Sequence, residues 1–203
     1  MRPDELVRGL SRHVRDERVL AAVAEVPRQL FVPPELRGRA WDNEPLPIGA
    51  GQTISQPLVV ARMCELLALR GDEHVLDVGT GSGWHAALLA RLARDVVSIE
   101  RHASLSEQAA SNLAAAGIEN VTLVVGDGSL GYEPSAPYDA INVAAASRAG
   151  VPPALEEQLA VGGRLVVPTD RGEQRLVLVR KRADGGVDRR VLEPVRFVPL
   201  VSD

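Results

Sequence analysis

The sequence predicts an α/β fold, in which helices cover both faces of a mostly parallel, twisted sheet. Short apolar segments alternate with amphipathic helical segments between residues 74 and 167, and one of them, Val121–Val125, has the composition of a strand buried on both faces. A glycine-rich turn at residues 79–83 separates the first of these strands from its helix. Near the C-terminus, two apolar segments flank Asp-Gly-Gly at residues 184–186, which predicts an antiparallel hairpin.

Length and charge restrict the class of protein. The chain has 203 residues, 45% of them hydrophobic, and a formal net charge of -4. We expect one domain over residues 1–203, with an N-terminal helical and loop cover (1–70), an α/β core (71–170) and C-terminal strands (171–203). The acidic balance argues against nucleic acids and anionic membranes as partners, because binding to either requires surplus Lys and Arg.

Cysteine content and the N-terminal residues predict a cytoplasmic protein. Cys64 is the single cysteine, so no intramolecular disulfide can form and a reducing compartment suits the chain. Four of the first eight residues are charged, where a signal peptide would need an apolar core. No apolar segment reaches about 18 residues, the length of a membrane-spanning helix. No His or Cys spacing resembles a zinc site, so we expect no metal.

The N-terminal cover predicts helices on either side of a long irregular segment. Apolar residues recur at helical spacing from residue 4 to 26, which predicts two amphipathic helices. Five prolines then exclude regular helix from residue 26 to 52, and we expect an extended, turn-rich segment whose apolar side chains pack. A helix with Pro57 in its first turn follows and runs to Gly71.

The rest of the chain predicts a sheet of parallel strands that ends in a hairpin. Core strands are expected at residues 74–78, 95–99, 121–125, 138–143 and 164–167, and helices at residues 82–93, 104–116 and 154–160. Two further strands, at residues 176–179 and 191–200, should continue the sheet in antiparallel sense. Pro194 and Pro199 place the last strand at the edge, because proline cannot donate to a sheet ladder.

The ends of the first three core strands predict a site for a nucleoside-containing cofactor. In an open α/β sheet the ligand lies beyond the carboxyl ends of the strands, where Gly79 and Gly81 leave the backbone accessible. Glu100 closes the next strand, 21 residues after Gly79, where an acid in such folds accepts hydrogen bonds from ribose. Asp127, between two glycines after the third strand, is a candidate partner for an adenine amino group.

Two cofactor classes compete for this glycine loop. A dinucleotide requires Gly-x-Gly-x-x-Gly or Ala, but Trp84 occupies the third small position and the spacing is Gly-x-Gly-x-Gly. Asp77, just before the loop, suits the cationic sulfonium and amino groups of S-adenosylmethionine better than a pyrophosphate. S-adenosylmethionine is therefore the predicted cofactor, with S-adenosylhomocysteine as its product. The alternative is that these acids only cap helices or lie solvated in loops.

Longer motifs resemble the protein-L-isoaspartate O-methyltransferase family over nearly the whole chain. They are Val-Pro-Arg at residues 26–28, Pro-Leu-Pro-Ile-Gly at 45–49, Gly-Gln-Thr-Ile-Ser-Gln-Pro at 51–57, Val-Leu-Asp-Val-Gly-Thr-Gly-Ser-Gly at 75–83, Gly-Asp-Gly at 126–128, Ala-Pro-Tyr-Asp at 136–139 and Phe-Val-Pro-Leu at 197–200. Many methyltransferases share the glycine loop, whereas the segment at 51–57 is specific to this family. The resemblance implies a Rossmann-like class I methyltransferase fold, with residues 71–170 binding the cofactor.

The activity that the resemblance implies is repair of damaged protein. The family transfers a methyl group from S-adenosylmethionine to the α-carboxylate of L-isoaspartyl residues, and the ester then closes to a succinimide without the enzyme. Isoaspartyl peptides and proteins are the implied partners, and we expect a monomer.

The resemblance also implies which residues form the site. Ser55 lies beside the acceptor carboxylate and is the candidate catalytic residue, Glu100 binds the ribose, and Asp127 and Gly128 bind the adenine. The other residues implied in the cofactor pocket are Gln52, Thr53, Ile54, Asp77, Gly79, Thr80 and Gly81. Residues 197–200 would form the edge of the peptide groove.

Several alternatives stay open. Ser55 could simply cap the helix that begins at Pro57. A relative with the same chemistry could methylate one aspartate of a dedicated ribosomal peptide and drive aspartimide formation, and a cofactor-binding scaffold without activity is a third function. Trp84-His85 stands where the family has Tyr-Gln, and residues 169–172 replace a more glycine-rich turn. We expect His85 to be a packed or solvated helix residue, and Cys64 a buried structural thiol.

Overall fold

The computed structural model describes residues 2–202. Its α-helices are α1 Pro3–Leu10, α2 Glu17–Glu25, α3 Pro57–Leu67, α4 Trp84–Leu92, α5 Ala103–Ala115 and α6 Pro153–Glu157. Its strands are β1 Leu46–Gly49, β2 Gln52–Ile54, β3 His74–Val78, β4 Asp95–Glu100, β5 Val121–Val125, β6 Tyr138–Val143, β7 Leu159–Asp170, β8 Gln174–Lys181 and β9 Val187–Pro194. β1 and β2 form a separate hairpin, and the other strands form one sheet.

The sheet confirms the predicted fold class. Its strand order is β5-β4-β3-β6-β7-β8-β9. The strands β5, β4, β3, β6 and β7 all run parallel to their neighbours in this order. The pairs β7–β8 and β8–β9 are antiparallel. The chain first adds β4 and β5 on one side of β3 and then adds β6 on the other, so the order reverses at β3. In such sheets the ligand crevice opens at the carboxyl ends of the strands beside this reversal.

Most of strands β3, β4 and β6 is buried on both faces. The expectation that Val121–Val125 is buried on both faces is wrong, because β5 is an edge strand paired only with β4 and its residues are half-buried or exposed. Val75 and Val96 pack with the buried residues of helices α1 to α5, whereas their neighbours Leu76 and Val97 point to the other face and pack near Leu155 of α6. The helical cover predicted for both faces is therefore unequal, since five of the six α-helices within residues 2–202 lie on one side. Among residues 2–202, no helix combines the length and the hydropathy that crossing a membrane requires.

The N-terminal cover contains the two predicted helices and a hairpin that the sequence analysis missed. β1 pairs with β2 in antiparallel sense, and the turn at residues 49–51 has positive φ angles of 103°, 49° and 69°. Leu46, Ile48 and Ile54 are buried in the core beneath the helices. The prolines exclude helix here but are compatible with a short two-stranded pairing. A pairing of this length depends on tertiary packing for its stability, which explains why local patterns did not predict it.

Three predicted boundaries in the second half of the chain are wrong. The helix expected at 154–160 ends at Glu157, and the strand expected at 164–167 is the longer β7, because β8 pairs with it as far as Asp170. The strand expected at 191–200 is β9, which begins at Val187 and ends at Pro194. Beyond it the chain crosses to Ala146, whose carbonyl accepts a hydrogen bond of 2.8 Å from the Leu200 N–H. β9 is one of the two edge strands of this sheet, as the prolines predict.

Candidate active site

A cleft opens at the carboxyl ends of β3, β4 and β6, where the strand order reverses. Its volume is about 370 Å³, within the range of small-molecule sites. The β1–β2 turn, the glycine loop, the end of β4, the residues after β6 and residues 198–201 line it. A larger groove of about 750 Å³ lies between α3 and strands β8 and β9, but it contains none of the predicted site residues. The smaller cleft is therefore the candidate nucleoside site.

The glycine loop forms the floor of this cleft for reasons of backbone geometry and packing. Gly79, Gly81 and Gly83 have φ angles of 92°, 54° and 92°, which disfavour any residue with a side chain. A Cβ on Gly83 would lie 3.2 Å from the Cβ of Ala109, so this glycine also allows α5 to pack closely. Gly79 and Gly81 line the cleft. The loop thus presents backbone, without side chains, to a ligand.

Glu100 connects the end of β4 to the glycine loop. Its side chain is almost completely buried, with one carboxylate oxygen accepting a hydrogen bond of 2.9 Å from the Gly81 N–H and the other accepting one of 3.0 Å from the His102 N–H. The residue also lines the cleft. Each carboxylate oxygen retains a further lone pair, so Glu100 can hold the loop and still accept hydrogen bonds from a ribose diol.

Asp77 does not line the cleft. It is completely buried at the end of β3, where its carboxylate accepts hydrogen bonds of 2.8 Å from the Ser98 hydroxyl and 2.7 Å from the Asn142 amide. Burial raises the pKa of the Asp77 carboxyl to about 6, and these hydrogen bonds oppose the rise. Thr80 is also buried and shares a hydrogen bond of 2.6 Å with Ser98. The side chains of Asp77 and Thr80 therefore belong to a polar layer beneath the backbone of the glycine loop, and neither residue lines the cleft.

Sequence reasoning missed Asn142 in this layer, whereas His85 is packed, one of the two environments expected for it. Asn142 is directly opposite Asp77 in the β3–β6 pairing. Its amide nitrogen lies 3.2 Å from Nδ1 of the buried His85, so Nδ1 accepts and Nε2 carries the proton. Desolvation lowers the pKa of His85 to about 3. A polar residue in the otherwise apolar strand Ala-Ile-Asn-Val was the available signal for Asn142.

Of the predicted pair Asp127 and Gly128, Gly128 lines the cleft and Asp127 does not. The Asp127 carboxylate accepts a hydrogen bond of 2.8 Å from the Ser129 N–H and caps a short 3-10 turn. Gly128 lines the cleft, and a Cβ at this position would lie 2.5 Å from Cγ1 of Val78. A glycine at residue 128 is therefore required by packing alone. Its backbone nevertheless faces the cleft.

Residues of β2 form one wall of the cleft. Gln52 and Thr53 line the cleft, and Ile54 is buried. The other predicted wall, at residues 197–200, is divided: the Phe197 N–H donates to the Gln174 side chain at 2.7 Å, whereas residues 198–200 line the cleft. Ala144 and Ala145, which sequence reasoning missed, complete the wall after β6. Their position directly after a strand end was the available signal.

Ser55 lines a second, small cavity of about 40 Å³ that adjoins the cleft. Thr53, Gly79, Gly81 and Ala144 line both spaces. The other residues around the small cavity are Ile54, Val60, Thr80, Ser82, Trp84 and His85. This volume can hold a carboxyl group or two waters, at about 15 Å³ for each water.

The structure rules out Ser55 as a helix cap. Gln56 is the N-cap of α3, but its side chain makes no capping bond and donates instead to the Asn43 carbonyl at 3.0 Å. The Leu58 N–H donates to the Asn43 side chain at 3.0 Å. The Ser55 hydroxyl makes no hydrogen bond within residues 2–202, while its carbonyl accepts one of 3.0 Å from Arg28. The hydroxyl is thus available to a ligand.

The sequence of this chain is similar to those of proteins from one known family. The description of the matching family is Protein-L-isoaspartate(D-aspartate) O-methyltransferase, and the match extends over residues 1–203. Protein-L-isoaspartate O-methyltransferase 1 of Rhodopseudomonas palustris is 52% identical over 195 residues, covering 95% of this chain and 79% of the relative. The protein-L-isoaspartate O-methyltransferase of Methanoculleus marisnigri is 53% identical over 193 residues, covering 95% of this chain and 87% of the relative.

Solved structures agree with these matches. A structure of a protein-L-isoaspartate O-methyltransferase, 28% identical, superimposes with a TM-score of 0.88 over 98% of this chain and 66% of the other. A Plasmodium falciparum chain solved with S-adenosyl-L-homocysteine is 24% identical, with a TM-score of 0.85 and full coverage of both chains, and shares the fold. Sequence and structure together assign the chain to the protein-L-isoaspartate(D-aspartate) O-methyltransferase family.

Proposed function

We propose that this chain transfers a methyl group from S-adenosylmethionine to the α-carboxylate of L-isoaspartyl residues in damaged proteins and peptides. Repair then proceeds through a succinimide. The observation that carries the proposal is that the cleft adjoins the small cavity and that each has a volume suited to one reactant. A cleft that suits a nucleoside adjoins a cavity that suits a carboxyl group, and the two share Thr53, Gly79, Gly81 and Ala144 in their walls. A methyl donor in the cleft and a carboxylate in the cavity would therefore meet at these shared walls.

The cleft residues fit the methyl donor. The buried Glu100 carboxylate faces the cleft and can accept from the ribose hydroxyls, while Ile99 and Ala145 offer an apolar surface to the adenine beside Gly128. Gly79 and Gly81 leave room for the amino-acid part of the ligand, and Asp77 contributes negative charge from beneath the loop. When bound, S-adenosylmethionine supplies an electrophilic methyl group and leaves as S-adenosylhomocysteine.

The acceptor side needs little chemistry from the protein. A carboxyl group with a pKa of about 4 is ionised at neutral pH, so it is a nucleophile without a general base. Ser55 can donate one hydrogen bond to a carboxylate oxygen and so fix its direction of attack. Positioning of this kind accounts for up to about 7–11 kcal/mol of barrier reduction in favourable reactions.

A comparison of two peptides tests the proposal. The same peptide is prepared with an isoaspartyl and with an aspartyl residue, and methyl transfer from labelled S-adenosylmethionine is measured for both. Only the isoaspartyl isomer presents a free α-carboxylate beside a backbone that passes through the side chain. We expect a far higher kcat/KM for the isoaspartyl peptide. Equal rates would favour the dedicated-peptide alternative, and no transfer to either peptide, with S-adenosylhomocysteine still bound, would favour an inactive scaffold.

Location, assembly and the division of the chain belong to the same proposal. The single cysteine, Cys64, is a buried free thiol, which supports a reducing, cytoplasmic environment. We propose a monomer without nucleic-acid or membrane partners, in which residues 1–70 cover the substrate and the cofactor. Light scattering at micromolar concentration tests the oligomeric state, since a dimer would scatter with twice the monomer mass.

A further inference from the structure

Arg28 is a buried cation that the proposed reaction does not yet use. It is completely buried within the short 3-10 turn Arg28–Phe31. Burial lowers the pKa of its guanidinium to about 10, and the more distant carboxylates of Asp42 and Glu44 oppose this effect, so Arg28 is charged at neutral pH. A buried charge is costly unless its hydrogen bonds are satisfied, which makes the partners of Arg28 informative.

Main-chain carbonyls accept the hydrogen bonds of this guanidinium. Nη1 donates to the carbonyl of Ala40 and, at 3.5 Å, to that of Asp42. Nη2 donates to the carbonyl of Glu44 at 3.1 Å and to that of Ser55 at 3.0 Å. One planar group therefore joins the loop at residues 40–44 to the residue that follows β2. Its two nitrogens reach both segments at once, which the single ammonium of lysine cannot reproduce.

Arg28 also contacts the wall of the small cavity. Its Cζ atom lies 5.0 Å from the ring centroid of Trp84, the first residue of α4, in a cation–π arrangement. Trp84 and Ser55 both line the cavity. The same guanidinium thus contacts both Ser55 and Trp84 in the wall of the small cavity. Arg28 itself lines neither the cavity nor the cleft.

We propose that Arg28 is the positioning residue for Ser55: by holding the Ser55 carbonyl against the loop at residues 40–44, it directs the Ser55 hydroxyl towards the acceptor carboxylate. Within residues 2–202, Arg28 makes the one hydrogen bond to the Ser55 carbonyl, and the Ser55 hydroxyl is unpaired. Gln56 and Leu58 also bond to Asn43 of the same loop, but neither bond involves Ser55 itself. This inference rests on the proposed function. It predicts that loss of the guanidinium affects catalysis through Ser55 and leaves the cofactor site unchanged.

A double-mutant cycle separates this role from a purely structural one. Arg28→Lys, Ser55→Ala and the double variant are compared for kcat with an isoaspartyl peptide, with the folded fraction of each sample measured by titration with S-adenosylhomocysteine. A displacement of about 1 Å can cost about a hundredfold in rate. We expect Arg28→Lys alone to lower kcat by about ten- to a hundredfold, with cofactor affinity within about twofold of wild type. In the Ser55→Ala background the same change should lower kcat by less than about threefold, because the hydroxyl that it misplaces is gone.

Further variants keep the inference falsifiable. Arg28→Gln removes the buried charge and should give the same non-additivity in whatever fraction of the sample folds. Arg18→Lys is the matched control, since Arg18 also donates to main-chain carbonyls, of Leu69 and Leu92, but far from Ser55. It should leave kcat unchanged. Wild-type kcat in Arg28→Lys, or an undiminished effect in the Ser55→Ala background, would overturn the positioning role. An inactive wild-type protein would instead refute the proposed function.

Discussion

The side-chain amide of Asn142 donates a hydrogen bond of 2.7 Å to the carboxylate of Asp77, and both residues are completely buried. The same amide nitrogen lies 3.2 Å from His85, so a single asparagine separates two ionisable groups beneath the glycine loop. Their pKa values move away from their usual values for the same reason, since burial disfavours both the carboxylate and the imidazolium. The two groups therefore affect stability with opposite dependence on pH.

Asp77→Asn should remove a destabilising effect that appears as pH rises. The pKa of Asp77 is about 6 in the folded protein, above the unfolded value of 3.8, so the folded state retains a proton that the unfolded state loses. The contribution of Asp77 to the free energy of unfolding is present in full below the unfolded pKa. It is lost as pH rises through the folded pKa. Between these two pKa values, we expect the free energy of unfolding of wild type to fall by up to about 3 kcal/mol relative to that of Asp77→Asn. Urea unfolding across the interval measures it, and Asp72→Asn, at an exposed carboxylate, controls for loss of one charge.

His85→Gln should remove an effect of opposite sign. The pKa of His85 is about 3 when folded and 6.5 when unfolded, so only the unfolded state takes up a proton in mild acid. The contribution of His85 to the free energy of unfolding is present in full above the unfolded pKa. It decreases as pH falls towards the folded pKa. Between about pH 7.5 and pH 5, wild type should lose about 2 kcal/mol relative to the variant. The same unfolding experiment checks this, with exposed His13→Gln as control. Parallel curves for His85→Gln and wild type would contradict the buried, neutral histidine.

Glu100→Gln should weaken cofactor binding. The amide would keep the size of the side chain but lose the charge that two backbone N–H groups and the expected ribose hydroxyls share. Hydrogen bonds to a charged group contribute about 1.5–3 kcal/mol, so we expect the Kd for S-adenosylhomocysteine to rise about ten- to a hundredfold. Calorimetry measures it. Glu107→Gln, at an exposed position on α5, should bind as wild type does, and unchanged affinity in Glu100→Gln would exclude Glu100 from the ribose site.

Ser55→Ala should slow methyl transfer without affecting the cofactor. Loss of one hydrogen bond to a carboxylate predicts a kcat about ten- to a hundredfold lower. The melting temperature should stay close to that of wild type, because the hydroxyl has no hydrogen-bond partner within residues 2–202 and does not cap α3. Turnover, S-adenosylhomocysteine affinity and melting temperature are measured on the same sample. Turnover equal to wild type would remove Ser55 from the acceptor site, and complete inactivity with a trapped modified serine would indicate covalent catalysis instead.

Local patterns in the sequence determined the fold class, the parallel strands and the glycine turn. The strand β3 and its turn could be predicted because apolar runs and the need for positive φ at Gly79, Gly81 and Gly83 are properties of short segments. The positions of Glu100 and Gly128 at strand ends followed from the same alternation, because carboxyl ends of parallel strands meet at one edge. Boundaries such as that of β9 could not be predicted, since β8 and its register decide where that strand ends.

The tertiary structure alone decided which polar groups meet. Asn142 lies opposite Asp77, 65 residues earlier, only because β6 pairs with β3 in one register. Arg28 reaches Ser55, 27 residues later, because the β1–β2 hairpin folds back over the core. Neither contact has a local signal, because pairing and burial lower the free energy of the whole domain and not of a single segment. The fold class of this protein therefore follows from its local sequence, whereas the polar layer under the cofactor loop and the support of Ser55 follow from long-range packing.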